Sequence, residues 1–190
     1  IGIKQWINYL LNGYKKFIFA GNDAHGNFNK YRQINIPMFS IKESNKQILG
    51  ICRTGVFPKI KKNIHSTIDA MKKGNCFITN GPFLNMNLNI EDINHPMGSK
   101  VSSSTGKLII NAISNIEFGK LKKYRIIKGI IGNKDEIIIK EESFINDIYD
   151  FDINLEINSK TEAYYRAEIE TINYKGLCIA MTNPIWLKSI

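Results

Sequence analysis

Cysteine, arginine and long apolar runs are all scarce in this sequence of 190 residues. The three cysteines, Cys52, Cys76 and Cys178, lie far apart and form no C-x-x-C pair. This excludes a disulfide framework and a zinc ribbon, and it favours a reducing compartment such as the cytoplasm. No apolar run approaches the ~20 residues that a membrane-spanning helix needs. We therefore expect no membrane partner.

Arginine occurs at only four positions, although the formal net charge of the chain is +9. The other basic side chains are 22 lysines (26 basic residues minus 4 arginines), and they are scattered along the sequence. Arginine binds phosphate and guanine through paired hydrogen bonds, whereas lysine is a diffuse, hydrated charge. The composition therefore argues against a specific nucleic-acid partner and leaves room for weak attraction of small anionic molecules.

Histidine is scarce as well, with three residues in the chain. His65 and His95 stand alone, outside any spacing typical of a metal site, and we expect neither to be a ligand. His25 differs because it follows Asp23 at a distance of two residues, in the stretch "GNDAHG" at 21–26. The few histidines therefore point to this one stretch as the candidate site.

The spacing of Asp23 and His25 permits more than one kind of chemistry. In extended backbone, side chains two positions apart share a face, and Gly21 and Gly26 let the chain turn around them. A carboxylate beside an imidazole suits zinc, manganese or iron. It also suits a general base with its orienting acid. An aspartate that caps a backbone N–H beside a solvated histidine is a third interpretation, and spacing alone leaves all three open.

The first part of the chain has the pattern of a helix followed by a strand. An apolar stripe predicts a helix at 3–12, with Gly13 as its stop. The apolar run at 17–20 is expected to form a short buried strand that leads into the D-x-H motif. This arrangement is typical of a β/α barrel or an open parallel sheet, where sites lie at the carboxyl ends of strands. Because the chain begins at Ile1, inside the predicted helix, we expect a fragment whose upstream part, with any targeting segment, is missing.

A long irregular passage at 27–58 separates this unit from a second predicted helix at 64–73. Passages of this length are usually functional or mark a boundary. The spacing of Ile64, Ile68 and Met71 predicts that these side chains form the apolar face of the second helix.

From about residue 82 onward the pattern changes to that of β-strands. The stretches "FLNMNLNI" (83–90) and "YDFDINLEI" (149–157) alternate apolar and polar residues with period two. The stretch "GNKD" (132–135) between two isoleucine-rich runs predicts a hairpin turn. Seven or eight such strands predict a β-sandwich. Its interior is expected to hold Phe83 or its neighbours, Met86, Leu88, Ile153 and Leu155.

Four short motifs in a fixed order resemble the PHP-domain metallohydrolases (polymerase and histidinol phosphatase type), most of all the CehA/McbA-like branch. The motifs are "GNDAHG" (21–26), "CRTGV" (52–56), "CFITNGPFL" (76–84) and "MTNPIWL" (181–187). The likeness covers nearly the whole chain but only the C-terminal part of that architecture. It implies an α/β plus all-β fold. Residues 1–81 would be the last α/β units of a distorted barrel with the D-x-H motif, and 82–190 a β-sandwich domain.

The same resemblance implies a divalent-metal-dependent hydrolase of the phosphoesterase type that uses metal-activated water. Two or three ions of zinc, manganese or iron would be bound in the complete site, with Asp23 and His25 among the ligands and no catalytic residue separate from them. Arg53 and Asn80 are candidate contacts to a small anionic or ester substrate. The remaining ligands would lie in an upstream half of the barrel, which is the expected intramolecular partner, so this chain alone would be incomplete.

The alternative hypothesis is a non-catalytic module in which a degenerate barrel carries a β-sandwich that binds a carbohydrate or a protein. Under this interpretation Arg53 is a surface or packing residue and Asn80 forms a turn at a strand end. An H-x-H motif in the missing upstream sequence would favour the enzyme, and its absence would favour the module.

Overall fold

The computed structural model describes residues 2–21, 33–36, 39–42, 50–174 and 176–188. Within them the chain forms two helices and fourteen strands. The helices are α1 Gly2–Leu11 and α2 Ile64–Lys72. The strands are β1 Gln33–Ile36, β2 Phe39–Lys42, β3 Arg53–Val56, β4 Cys76–Thr79, β5 Phe83–Ile90, β6 Ile93–Pro96, β7 Lys100–Ser102, β8 Thr105–Ile113, β9 Lys120–Ile130, β10 Ile137–Ser143, β11 Asp150–Asn158, β12 Ala163–Asn173, β13 Gly176–Thr182 and β14 Ile185–Lys188.

Two sheets make up most of the described fold. The eight-stranded sheet has the order β10-β9-β12-β13-β4-β3, and β14 joins it by pairing with both β12 and β7. The four-stranded sheet has the order β11-β8-β5-β6, and β1 and β2 form a separate hairpin. Among the described strands, only the β14–β7 pair is parallel. The predicted β-sandwich is therefore confirmed, whereas the described residues show no β/α barrel.

The period-two pattern places the core where the sequence predicts it. On β5, Leu84, Met86 and Leu88 are almost completely buried, at 1% exposure or less. On β11, Ile153 and Leu155 are half-buried and pack against the same core. Alternate side chains of a strand point to opposite faces, so the asparagines between these apolar residues face outward. The turn at "GNKD" also forms as predicted, because β9 and β10 flank it as an antiparallel pair.

The eight-stranded sheet takes strands from both sides of the expected boundary between residues 81 and 82. β3 pairs with β4, and β4 pairs with β13 near the end of the chain. The division into a barrel portion and a sandwich domain stays a prediction.

Helix α2 forms at the expected place, but its predicted apolar face is wrong. Ile64 is 67% exposed and Ile68 is 40% exposed, whereas the buried residue of the helix is Ala70. The helix begins after Asn63, whose side chain accepts a hydrogen bond from the Ser66 N–H. This isoleucine-rich chain leaves large apolar side chains on its surface, so an i, i+4 pair of isoleucines does not mark the packed side.

Helix α1 covers a charged patch on the outer face of the eight-stranded sheet. Trp6 packs with the other buried residues of α1, Leu10 and Leu11, in one cluster with Tyr164 and Trp186. Beneath it, Arg166 is 3% exposed, and its guanidinium carbon lies 5.7 Å from the centroid of the Trp6 ring. The helix therefore closes over a buried cation instead of a purely apolar surface.

Two carboxylates neutralise this buried cation. Arg166 donates two hydrogen bonds to Glu136, at 2.8 and 2.6 Å, and a third to Glu168. Burial alone would lower the pKa of Arg166, but the hydrogen bonds and negative charges of Glu136 and Glu168 outweigh it and raise that pKa. A buried charge is tolerated when it is paired and hydrogen-bonded in this way.

Candidate functional site

The segment that leads into the D-x-H motif is held by side chains from two of the other motifs. The Ile18 N–H donates to Oδ1 of Asn183 (2.8 Å), and Nδ2 of Asn183 donates to the Ile18 carbonyl (3.2 Å). Two residues further on, the Ala20 N–H donates to Oγ1 of Thr54 (2.9 Å), and the Thr54 hydroxyl donates to the Ala20 carbonyl (3.0 Å). The Asn183 amide and the Thr54 hydroxyl thus make the hydrogen bonds that a neighbouring strand would make in a sheet.

The prediction of a buried strand at 17–20 is therefore wrong. No strand is formed there, Phe17 and Ile18 are half-buried, and Phe19 is 47% exposed. The backbone groups at Ile18 and Ala20 find side-chain partners instead of a strand ladder, which meets the same hydrogen-bonding requirement. The segment at 17–20 is therefore held by side-chain hydrogen bonds at Ile18 and Ala20 and is not buried in the core.

Asn183 is the central residue of this anchor and is completely buried. Besides its two bonds to Ile18, its Nδ2 donates to the carbonyl and to Sγ of Cys76, both at 3.1 Å. Burial raises the pKa of the Cys76 thiol, and the hydrogen bond from Asn183 opposes this rise only in part. One asparagine thus connects the "MTNPIWL" and "CFITNGPFL" motifs with the backbone that precedes "GNDAHG".

Arg53 and Asn80 lie at the same end of the eight-stranded sheet. Arg53 is opposite Thr79 in the β3–β4 pair, and Asn80 is the residue that follows Thr79. The side-chain oxygen of Asn80 accepts from the Ile179 N–H at 2.6 Å, and the Asn80 N–H donates to the Ile179 carbonyl at 3.1 Å. Asn80 therefore extends the β4–β13 ladder, and its predicted role in substrate binding stays a prediction.

The Arg53 side chain is exposed and stacks against the loop between β8 and β9. Its guanidinium carbon lies 5.0 Å from the centroid of the Phe118 ring. Burial raises the pKa of the nearby Cys178 thiol, while a hydrogen bond with Thr171 and the positive charge of Arg53 oppose that rise. In the described part of the chain no carboxylate lies within ion-pair distance of Arg53. No described carboxylate therefore competes with an anion for this guanidinium.

The predicted metal ligands, Asp23 and His25, lie outside the described residues, so their role stays a prediction. Across the residues that are described, no group of three or more histidine, cysteine, aspartate or glutamate side chains is placed to hold a metal ion. His65 is exposed on α2, and His95 is half-buried opposite Leu88 in the β5–β6 pair. Neither of the described helices is long and apolar enough to span a bilayer.

Sequence reasoning selected Arg53 and Asn80 but missed Thr54 and Asn183. Both missed residues belong to the quoted motifs, where Thr54 follows Arg53 and Asn183 precedes Pro184. The available signal was a small polar side chain at a strand or strand end inside each motif. Such residues commonly bond to backbone groups, but their partners, 34 and 165 positions away, cannot be read from local spacing.

Replacing Thr54 with valine is expected to loosen this anchor. Valine keeps the shape of the side chain but leaves the Ala20 N–H and carbonyl without their partner. We expect a loss of about 1–2 kcal/mol in the free energy of unfolding, measured by urea denaturation. The control is Thr161→Val, at an exposed position. Equal stability of the two variants would mean that Thr54 does not anchor the segment.

Comparisons with known proteins give no match: no protein-family model, no curated protein and no solved structure corresponds to this chain.

Proposed function

We propose that this chain is the C-terminal part of a divalent-metal-dependent hydrolase of the phosphoesterase type, with residues 1–81 ending a β/α barrel. The observation that carries the proposal is the double hydrogen bond between Thr54 and Ala20, three residues before Asp23. It joins Ala20, just upstream of the D-x-H motif, to Thr54, the residue that follows Arg53. Together with Asn183, which bonds to Ile18 and Cys76, it connects the other three motifs to the backbone that precedes "GNDAHG".

The anchor supports a ligand role because metal binding requires ligands held in a defined geometry. Residues that orient such ligands through hydrogen bonds are needed for a working site, and changing them typically costs about 10- to 100-fold in metal affinity or activity. Ile18 and Ala20 are each held through both the N–H and the carbonyl. These bonds fix the position and direction of the backbone from Ile18 to Ala20, three residues before Asp23 in the sequence.

The donor set of the motif fits a transition-metal or zinc site but does not complete one. Asp23 supplies a carboxylate and His25 an imidazole, which together suit zinc, manganese or iron. A catalytic zinc usually has about three protein ligands and a water. We therefore propose that further ligands come from a part of the complete protein upstream of Ile1. A divalent ion in such a site polarises a phosphoryl oxygen and lowers the pKa of a bound water.

Arg53 is proposed to bind the anionic group of the substrate. Its guanidinium is exposed, is not paired with any described carboxylate, and lies beside the anchored segment through its neighbour Thr54. A guanidinium matches the oxygens of phosphate in two parallel hydrogen bonds. Asn80 contributes by holding the end of the neighbouring strand β4 against β13.

The test measures hydrolysis of bis(4-nitrophenyl) phosphate and 4-nitrophenyl phosphate by the complete protein. We expect turnover of at least one substrate, loss of turnover after treatment with a chelator, and recovery when zinc, manganese or iron(II) is added back. A rate unchanged by chelation, or no turnover of either ester by the metal-loaded protein, would contradict the proposal.

A further inference from the structure

A cavity of about 360 Å³ lies between α2 and the turn that joins β6 to β7. Its walls come from α2, the segment at 57–59, the turn at 96–99 and Lys15. This volume is in the range of pockets that hold small organic ligands. The proposed hydrolytic function does not use this cavity.

Backbone hydrogen bonds fix the walls of the cavity. Phe57 and Asn75 are joined twice, by the Phe57 N–H to the Asn75 carbonyl (3.0 Å) and by Nδ2 of Asn75 to the Phe57 carbonyl (2.9 Å). On the opposite wall, the Gly98 N–H donates to the Pro184 carbonyl at 2.8 Å. Gly98 has a φ of +83°, and a Cβ there would lie 1.8 Å from the Lys73 carbonyl oxygen. The two walls therefore meet in close backbone contact, which limits their relative movement.

The charge around the cavity is strongly positive. Lys15, Lys59, Lys72 and Lys73 line it, and Asp69 is the one carboxylate among the lining residues. In the part of the chain that the structure describes, none of these four lysines is in an ion pair, whereas five other lysines are. Four ammonium groups around one concave surface raise the local concentration of anions.

Lys15 differs from the other three lysines in lying over two aromatic rings. Its Nζ lies 5.5 Å from the ring centroid of Phe17 and 5.6 Å from that of Trp186. Burial, and then the positive charge of Lys100, lowers the pKa of Lys15. Its ammonium group is therefore partly desolvated and gains more from a bound anion than a fully hydrated lysine would.

The floor of the cavity is apolar. The half-buried Phe57 and the exposed Pro96 offer apolar surface there, and the other two apolar lining residues, Met97 and Ala70, are buried. Inorganic anions gain nothing from such a surface, whereas an organic ligand buries its carbon atoms against it. An apolar floor and a lysine rim together favour a ligand that has an apolar body and an anionic group.

We propose that this cavity binds a small organic anion whose phosphate, or comparable dianionic group, meets the lysine rim and whose apolar or aromatic body rests on Phe57 and Pro96.

The probe for this site is phenylphosphonate, an aromatic dianion without a hydrolysable ester bond. Binding to the 190-residue chain is measured by titration calorimetry at physiological ionic strength with a chelator present, so that bound metal does not contribute. We expect saturable binding to one site, with inorganic phosphate binding more weakly because it has no apolar body. Failure of the hydrolase proposal would leave this result unchanged.

The double variant Lys15→Gln/Lys73→Gln is expected to weaken phenylphosphonate binding by about tenfold or more, because the loss of even one charge-assisted contact is worth about that factor. A second variant, Lys59→Gln/Lys72→Gln, changes only exposed side chains and keeps the test valid if the first does not fold. The control Lys134→Gln/Lys160→Gln removes the same charge from exposed positions outside the cavity lining and should bind as the wild type does.

Two results would overturn the proposal. One is the absence of saturable phenylphosphonate binding, or equal binding by the wild type and every correctly folded cavity variant. The other is a single-stranded oligonucleotide that binds the wild type, loses affinity in the cavity variants and is not displaced by phenylphosphonate, which would make the lysines a nucleic-acid contact. Thermal unfolding of each variant confirms that the comparison concerns folded protein.

Discussion

Replacing Asp23 or His25 with alanine in the complete protein is expected to remove bound metal and abolish turnover while the β-sandwich stays folded. Changing residues that only orient metal ligands typically costs 10- to 100-fold, so the loss of a ligand should lower turnover by more than about a hundredfold. The described core of the sandwich, around Met86 and Leu108, is built from residues between 57 and 187. Circular dichroism should therefore be unchanged in the β region.

The matched controls are Asp135→Ala and His65→Ala, which change the same residue types at exposed positions outside the cavity lining. Metal content by elemental analysis and rates with a chromogenic phosphodiester and phosphomonoester are compared across the four variants. An Asp23→Ala protein with wild-type metal content and rate would end the proposal of an enzymatic site at this motif.

Replacing Asn183 with leucine is expected to destabilise the fold by about 2–4 kcal/mol. Leucine has a similar size, but it removes the partners of the Ile18 N–H and carbonyl and two contacts to Cys76. Because Asn183 is completely buried, each group that loses its partner there costs about 1–3 kcal/mol. Water can reach Ile18, which is half-buried, and this limits the total.

Urea denaturation of the Asn183→Leu variant measures this loss. The control is Asn146→Leu, at an exposed position in the loop between β10 and β11, where the same change should stay within about 0.5 kcal/mol of the wild type. A free energy of unfolding for Asn183→Leu equal to that of the control would show that the anchor does not depend on this side chain.

The sandwich strands were predictable because one face of each is buried and the other is not. Strand β5 spans Phe83–Ile90, the stretch whose alternation predicted it. On β11 the same alternation gives exposed Asp150, Asp152 and Glu156 between half-buried or buried residues. Because successive side chains point to opposite faces of the sheet, this arrangement produces a period of two in the sequence.

Contacts between distant parts of the chain were not predictable in this way. Along β12, Arg166 and Glu168 occupy alternate positions that usually face solvent, yet both are buried. Helix α1, about 160 positions earlier in the chain, lies over this face through Trp6. Local patterning identifies the strand and its two faces but not which element covers the charged one.

The same distinction between local pattern and distant contacts applies to the residues of the candidate site. The spacing of Asp23 and His25 and the motif around Arg53 could be read from sequence, because their interpretation depends on residue types a few positions apart. The anchoring roles of Thr54 and Asn183 depend on pairing with Ala20 and Ile18, far away in the chain. The run at 17–20 looked like a strand because it is apolar, while its partners are polar side chains that carry no periodic signal.

Metal stoichiometry, measured by elemental analysis on the complete protein and on the 190-residue chain side by side, bears on the whole proposal. Two ligands cannot chelate as a full set does, so we expect two or three divalent ions per complete protein and well under one per 190-residue chain. A complete protein that retains no divalent metal when purified without chelator, or a 190-residue chain that holds two ions tightly, would contradict a metal site shared between Asp23, His25 and upstream ligands.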